Sequence, residues 1–114
     1  MYREITAIEF KEKFLNDFDK LELIDVREKS EFDQIKIKWS KLISMWDLGN
    51  KLGEIDWNKE VIFICRTGAR SGYITNILNE KWYNSINLVW WINILRLNCE
   101  ECISKWDFNS HYFD

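Results

Sequence analysis

An apolar run that stops at a cysteine is the feature that most restricts how this chain can fold. Residues 61–64 are apolar at every position, which is typical of a strand buried on both faces of a parallel sheet. Cys65 follows directly, and the loop after it holds one glycine and two arginines. Beyond Ser71 the apolar side chains recur at helical spacing. The sequence therefore predicts a strand, a short loop and a helix, the arrangement in which α/β folds bind anions.

The rest of the chain alternates between strand and helix patterns. Thr6 and Glu9 have the spacing of a capping box at the start of the first helix. Alternating strands and helices predict an α/β fold, with a mainly parallel sheet covered by helices on both faces. We expect strands at residues 21–26, 42–43, 61–64 and 86–89, and helices at residues 7–18, 29–35, 45–55, 71–81 and 92–105.

Size and composition favour a single domain over residues 1–114. The chain has 114 residues, 46% of them hydrophobic, which is enough for a core. Its net charge of −3 gives no electrostatic case for binding nucleic acid, and no apolar run approaches the roughly 20 residues that span a membrane. Three cysteines, and an amino terminus without the pattern of a secretion signal, predict a reducing, cytoplasmic location.

The loop after the central strand carries the predicted chemistry. Its backbone N–H groups, the start of the helix and two guanidinium groups should lower the pKa of the cysteine and make it a nucleophile. The glycine should let N–H groups face inward, and the serine should cap the helix or hydrogen-bond the sulfur. The alternative is a buried structural cysteine. The predicted site has Cys65 as the nucleophile and an anion-binding loop of Arg66, Thr67, Gly68, Ala69, Arg70 and Ser71.

Three segments carry a resemblance to a known family. Residues 65–71, C-R-T-G-A-R-S, are similar to the active-site loop of rhodanese-homology domains. Residues 23–28, L-I-D-V-R-E, with Glu31 and Phe32 after them, resemble that family's D-x-R-E segment. Residues 87–92, N-L-V-W-W-I, resemble its later strand and turn, with tryptophans where the family has paired glycines. The resemblance extends over about residues 2–97 and leaves the tail, residues 98–114, unmatched.

The resemblance implies a rhodanese-like fold with a central five-stranded sheet and the activity of a sulfurtransferase. In that activity the Cys65 thiolate takes sulfur from a small anionic donor such as thiosulfate and holds it as a persulfide. A thiol or cyanide-like acceptor then removes the sulfur, and a sulfur-relay protein is a further candidate partner. No metal or organic cofactor is implied. Asp25 and Arg27 are implied to support the loop without reacting.

Two other functions remain open. The first is a binding or regulatory module that keeps the fold without catalysis, and Lys36, which stands where many family members have histidine, gives no evidence of activity. The second is a cysteine phosphatase or arsenate reductase, whose C-x5-R loop puts the arginine six positions after the nucleophile. Here Arg70 is five positions after Cys65, and the shorter loop favours a small sulfur centre.

Two further cysteines form a C-E-E-C pair. On the predicted helix Cys99 and Cys102 would share a face, which makes them candidate relay thiols that accept sulfur from Cys65. Structural zinc sites need four ligands, and His111 is the only histidine in the sequence, so we predict no metal site. The alternative is a pair of ordinary helix cysteines.

The tryptophan content is unusually high. The chain has 7 tryptophans and 4 glycines, whereas about eight glycines are usual at this length. Trp39, Trp82, Trp90 and Trp91 stand where the resembling family has glycine. Some bacteria read the codon UGA as glycine, while the common alternative genetic code reads it as tryptophan. We therefore hypothesise that these four positions are glycines in the natural protein, the alternative being a divergent, tryptophan-rich surface.

Overall fold

The computed structural model describes residues 2–105 and contains a five-stranded, all-parallel sheet with helices. This confirms the predicted α/β fold. The strands in chain order are β1 (Glu4–Ile5), β2 (Leu21–Asp25), β3 (Ile35–Ile37), β4 (Lys41–Leu42), β5 (Glu60–Ile64), β6 (Ser85–Leu88) and β7 (Ile103–Lys105). The main sheet has the order β1-β6-β5-β2-β4, and β3 and β7 form a separate antiparallel pair.

Five α-helices connect these strands. They are α1 (Ala7–Asp17), α2 (Lys29–Gln34), α3 (Leu48–Lys51), α4 (Ala69–Glu80) and α5 (Ile92–Asn98), and 3₁₀ turns extend α1 and α3. The predicted capping box starts α1. The Glu9 N–H donates to Thr6 Oγ1 at 3.2 Å, and the Thr6 N–H donates to the Glu9 carboxylate at 3.0 Å.

The central strand β5 brings the ends of three strands to one level. It pairs with β2 on one side and with β6 on the other, so that Ile64 lies opposite both Asp25 and Leu88. Parallel pairing puts all three carboxyl ends at the same edge of the sheet. The residues that follow β2, β5 and β6 therefore meet there, and Cys65 lies in the middle.

Side chains of alternate residues on β5 enter two different cores. Ile62 and Ile64 pack with α1 and α5 on one face, while Val61, Phe63 and Cys65 pack with α3 and α4 on the other. A strand whose neighbours alternate in this way has two buried faces, which explains its continuous apolar sequence. We call these the α1 face and the α4 face.

The predicted helix over residues 92–105 is wrong beyond residue 98. After α5 the chain makes a 3₁₀ turn, Glu100–Cys102, and then forms β7, which pairs with β3. The prediction also omitted β1 and β3, which are two and three residues long. The single domain over residues 1–114 stays a prediction, and His111 lies outside the described residues.

Three tryptophans have backbone conformations that favour glycine. Among the described non-glycine residues, positive φ occurs at Trp39 (69°), Trp82 (72°) and Trp90 (50°). All three side chains are exposed. Trp91, the fourth candidate glycine, is different because it has a φ of −88° and a buried side chain.

Candidate active site

The Cys65 loop joins the end of β5 to the start of α4 and is tightly packed. Cys65 is only 1% exposed. Gly68 has a φ of 107°, a left-handed conformation that glycine adopts without a Cβ clash. A Cβ at this position would lie 2.7 Å from Cγ1 of Val89, so the glycine is required by space as well as by conformation.

Hydrogen-bond donors of the loop converge on the Cys65 sulfur. The Gly68 nitrogen lies 3.0 Å and the Ser71 Oγ 3.2 Å from Sγ. Burial raises the pKa of the Cys65 thiol. Hydrogen bonds lower it, and they come from the Ser71 hydroxyl and from the N–H groups of Ser71, Gly68 and Thr67. The hydrogen bonds outweigh burial, so the pKa lies below its usual value. The loop therefore favours the thiolate, the form of cysteine that acts as a nucleophile.

Arg70 joins the loop to α2 through a bidentate ion pair. Its Nη1 and Nη2 lie 2.8 and 2.9 Å from the two carboxylate oxygens of Glu31. Hydrogen bonding from Arg70 lowers the pKa of Glu31 to about 2, against the effect of partial burial. The guanidinium group is thus held by a carboxylate beside the loop.

Arg66 and Thr67 border a groove beside the loop. The groove has a volume of about 370 Å³, and the exposed Arg66 side chain is the one cation in its lining, which consists of Arg66, Thr67, Trp90, Ile92, Asn93 and Ile94. Thr67 also fixes the loop. Its Oγ1 accepts the N–H of the exposed Ala69 at 3.3 Å, and its carbonyl accepts the N–H of Trp90 at 3.2 Å.

Asp25 and Arg27 form a buried ion pair next to the loop. Arg27 Nη2 donates to Asp25 Oδ2 at 2.8 Å and to the carbonyl of Ile35 at 2.6 Å. The guanidinium carbon also lies 5.3 Å from the centre of the Trp91 ring. Both Asp25 oxygens are hydrogen-bonded by Arg27 and the pair is buried, which fits a supporting role better than a chemical one.

Cys99 and Cys102 lie away from the Cys65 sulfur. They are buried on the α1 face and form a disulfide with each other, their Cα atoms being 5.3 Å apart. Cys99 precedes the 3₁₀ turn and Cys102 is its last residue, so the two do not share a helix face as predicted. The structure does not bring either sulfur together with Cys65, which lies on the α4 face.

Three residues of the site have roles that the sequence analysis did not assign. Glu31 binds Arg70, and the indole nitrogen of Trp91 donates to the Cys65 carbonyl at 2.5 Å. Asn87, on β6, hydrogen-bonds both Ser71 and Gly68. Asn87 was the one polar residue of the strand predicted over residues 86–89, and this was a usable signal, because a buried amide needs partners.

The Cys65 loop lies within a region of the chain that matches a known protein family. The family model of the rhodanese-like domain matches residues 6–93. The chain belongs to the rhodanese-like domain family. YtwF of Bacillus subtilis, named as a candidate sulfurtransferase, is 37% identical over 86 residues, which cover 75% of this chain and 82% of YtwF. The family and this relative support a sulfurtransferase-type role.

A second relative and two solved structures extend the comparison. YrkF of Bacillus subtilis, named as a candidate sulfur carrier protein, is 26% identical over 83 residues, which cover 73% of this chain and 44% of YrkF. The crystal structure of a rhodanese-like domain protein from Staphylococcus aureus superimposes with a TM-score of 0.69 at 26% identity, covering 77% of this chain and 90% of that one. A rhodanese-related protein from Thermoplasma volcanium also gives 0.69 at 26% identity, with coverages of 77% and 84%.

Proposed function

We propose that this rhodanese-like domain moves sulfane sulfur from a small anionic donor such as thiosulfate to a thiol or cyanide-like acceptor. The observation that carries the proposal is the Cys65 sulfur with its two donors, the Gly68 N–H and the Ser71 hydroxyl. Donors that stabilise a thiolate also suit the persulfide anion that replaces it, since both carry negative charge on sulfur.

The reaction has two displacement steps at sulfur. The Cys65 thiolate attacks the outer sulfur of thiosulfate and forms a new S–S bond, while the bond within thiosulfate breaks and its electron pair leaves with sulfite. The acceptor's nucleophile then attacks the terminal sulfur of the persulfide, and Cys65 leaves as a thiolate. Neither step needs an oxidant or a cofactor.

Arg66 is the residue that we propose for attracting the donor. It is exposed in the groove next to the loop, whereas Arg70 is engaged by Glu31. Because Cys65 is almost fully covered, the donor reaches the sulfur only if the loop opens.

YrkF is named as a sulfur carrier, and this supports a sulfur-relay protein as the acceptor. A cytoplasmic location stays a prediction.

Intact mass after thiosulfate treatment tests the proposed function. We expect the mass of one added sulfur in the wild-type protein, its removal by cyanide, and no addition to Cys65→Ser with an unchanged circular dichroism spectrum. A hydroxyl at neutral pH is a poor nucleophile and cannot hold a persulfide. Continued sulfur transfer by the folded Cys65→Ser variant would move the chemistry to Cys99 or Cys102.

The burial of Cys65 favours one alternative, a non-catalytic binding or regulatory module. If the loop does not open, the thiol stays inaccessible and acts as part of the α4 face. An unchanged mass after prolonged thiosulfate treatment would support this alternative. Hydrolysis of a phosphate ester would instead support the phosphatase or arsenate reductase function.

A further inference from the structure

Asn87 is a buried amide at the edge of the sheet where the Cys65 loop lies. Its side chain is fully buried, and its neighbours on β6, Ile86 and Leu88, belong to the apolar core. A buried amide is costly unless each polar atom is hydrogen-bonded. The Asn87 amide satisfies this requirement through Ser71, Gly68 and Tyr2.

The partners of Asn87 fix the orientation of its amide. The side-chain atom 3.0 Å from the Gly68 carbonyl oxygen must be Nδ2, because a carbonyl only accepts. The same Nδ2 donates to the Tyr2 hydroxyl at 2.7 Å. Oδ1 therefore faces the Ser71 hydroxyl, which contacts it closely.

The Ser71 hydroxyl has one proton and two acceptors. Its oxygen lies 3.2 Å from the Cys65 sulfur and in hydrogen-bond contact with Asn87 Oδ1. When Cys65 is a thiol, the S–H can donate to Ser71 and Ser71 can donate to Asn87. When Cys65 is a thiolate, the Ser71 proton turns to the sulfur and Asn87 Oδ1 loses its donor. Asn87 and the thiolate thus compete for one proton.

The Nδ2 end of the Asn87 amide is also fixed by hydrogen bonds. The Tyr2 hydroxyl accepts from Asn87 and donates to Glu4 Oε2 at 2.9 Å. Partial burial, together with Glu4, outweighs the hydrogen bond from Asn87 and raises the pKa of Tyr2, which keeps the phenol protonated. A Cβ on Gly72 would lie 3.0 Å from Asn87 Nδ2 and 3.2 Å from the Tyr2 oxygen, so the glycine makes room for this contact.

We propose that Asn87 is a positioning residue that sets how strongly the Ser71 hydroxyl supports the Cys65 thiolate. It does so by accepting the Ser71 proton at Oδ1, while the hydrogen bond from Nδ2 to the Gly68 carbonyl fixes the orientation of the amide. This inference rests on Cys65 being the reactive thiol of the proposed function. Among the ionisable groups nearby, Arg70 on α4 and Tyr2 before β1 interact electrostatically with Cys65, and Glu31 on α2 and Asp25 at the end of β2 interact with Arg70.

The rate of Cys65 alkylation by iodoacetamide as a function of pH tests the inference, with the modified residue located by peptide mass. We expect Asn87→Ala to move the midpoint to lower pH by roughly half a unit to one unit, because Ser71 is freed for the thiolate. Ser71→Ala should move the midpoint to higher pH. In the Ser71→Ala background, Asn87→Ala should not move the midpoint further. The control is Asn98, an exposed amide on α5, and Asn98→Ala should leave the midpoint unchanged in either background.

A second variant covers the case in which Asn87→Ala does not fold. Asn87→Val fills the space, suits a buried strand and should give the same shift. An unchanged or higher midpoint in the folded variants, or an equal shift with and without Ser71, overturns the inference. Because alkylation needs no sulfur donor, the result is independent of whether thiosulfate is the substrate.

Discussion

At the scale of single residues, the neutral and the charged groups around Cys65 make different contacts. Neutral donors from the loop contact the sulfur, while two of the nearby guanidinium groups are bound to carboxylates, Arg70 to Glu31 and Arg27 to Asp25. A bound guanidinium holds its element in place, but it gives up part of its attraction for an incoming anion. The loop therefore stabilises charge on the sulfur mainly through oriented dipoles.

The Glu31–Arg70 pair should make stability depend on pH. The folded pKa of Glu31 is about 2, below the ordinary value of 4.5, so its contribution is complete above about pH 4.5 and is lost as the pH falls towards 2. Since the pair is about one-third exposed, we expect Glu31→Gln to lower the free energy of unfolding at pH 7 by about 0.5–1 kcal/mol. Urea titrations at several pH values measure this difference.

The control for this prediction is an exposed carboxylate on α1. Glu12→Gln should change the free energy of unfolding little at any of these pH values. A Glu31→Gln effect that stays constant from pH 7 to pH 2.5 would contradict the assignment of the low pKa to the ion pair.

Trp82→Gly should stabilise the protein. Trp82 follows the last residues of α4 with a φ of 72° and a side chain that is 95% exposed. The N–H of Tyr83 bonds the carbonyl of Leu78, and the N–H of Trp82 bonds the carbonyl of Asn79, a helix ending in which glycine is the usual residue. Removing the left-handed strain should add about 1 kcal/mol to the free energy of unfolding, measured by urea denaturation.

Trp46→Gly is the matched control, because this exposed tryptophan lacks a positive φ. It should lose stability, since glycine has more freedom to lose on folding. Equal effects of the two substitutions would contradict the argument. The hypothesis of UGA codons predicts glycine at Trp39, Trp82, Trp90 and Trp91 in the mass of the protein from its natural source, and UGG codons would exclude it. Trp91 is packed in the core, so we expect no gain from replacing it in this chain.

At the scale of elements, local patterns predicted the centre of the fold better than its carboxyl-terminal part. The strand β5, the loop and α4 follow from continuous apolar sequence and helical spacing. The segment after α5 was wrongly predicted to be helical because its apolar residues also fit helical spacing, namely Ile92, Leu95, Cys99 and Cys102. Its strand β7 is specified by pairing with the distant β3, which no local pattern records. Glu31 and Asn87 were not predicted as partners of the loop for the same reason, because their contacts with it join residues that are distant in sequence.

Replacing both cysteines of the C-E-E-C pair tests the predicted relay role. Because Cys99 and Cys102 lie on the α1 face, we expect the double variant Cys99→Ala, Cys102→Ala to load sulfur on Cys65 from thiosulfate as the wild type does. Intact mass measures the loading. Its melting temperature should fall, since both side chains are buried. Normal loading with lost transfer to a protein acceptor would support the relay role.

At the scale of the whole molecule, one all-parallel sheet separates two chemically different faces. The α1 face contains the disulfide and the Trp91 ring, and the α4 face contains the Cys65 thiol. The site lies where the sheet ends and the two faces meet. Over residues 2–105, none of the helices is sufficiently long and apolar to cross a membrane.

Parallel pairing also governs the order in which the site can assemble on a ribosome. β1 emerges first, but its partner β6 is added only after β5 and α4 have been made. Cys65 is therefore synthesised before Asn87, and its loop stays without the amide that holds Gly68 until the growing chain has passed β6. Contacts this distant in sequence close slowly. During synthesis the thiol of this domain is thus exposed to the cell's oxidants and sulfur donors before the surrounding structure has set its reactivity.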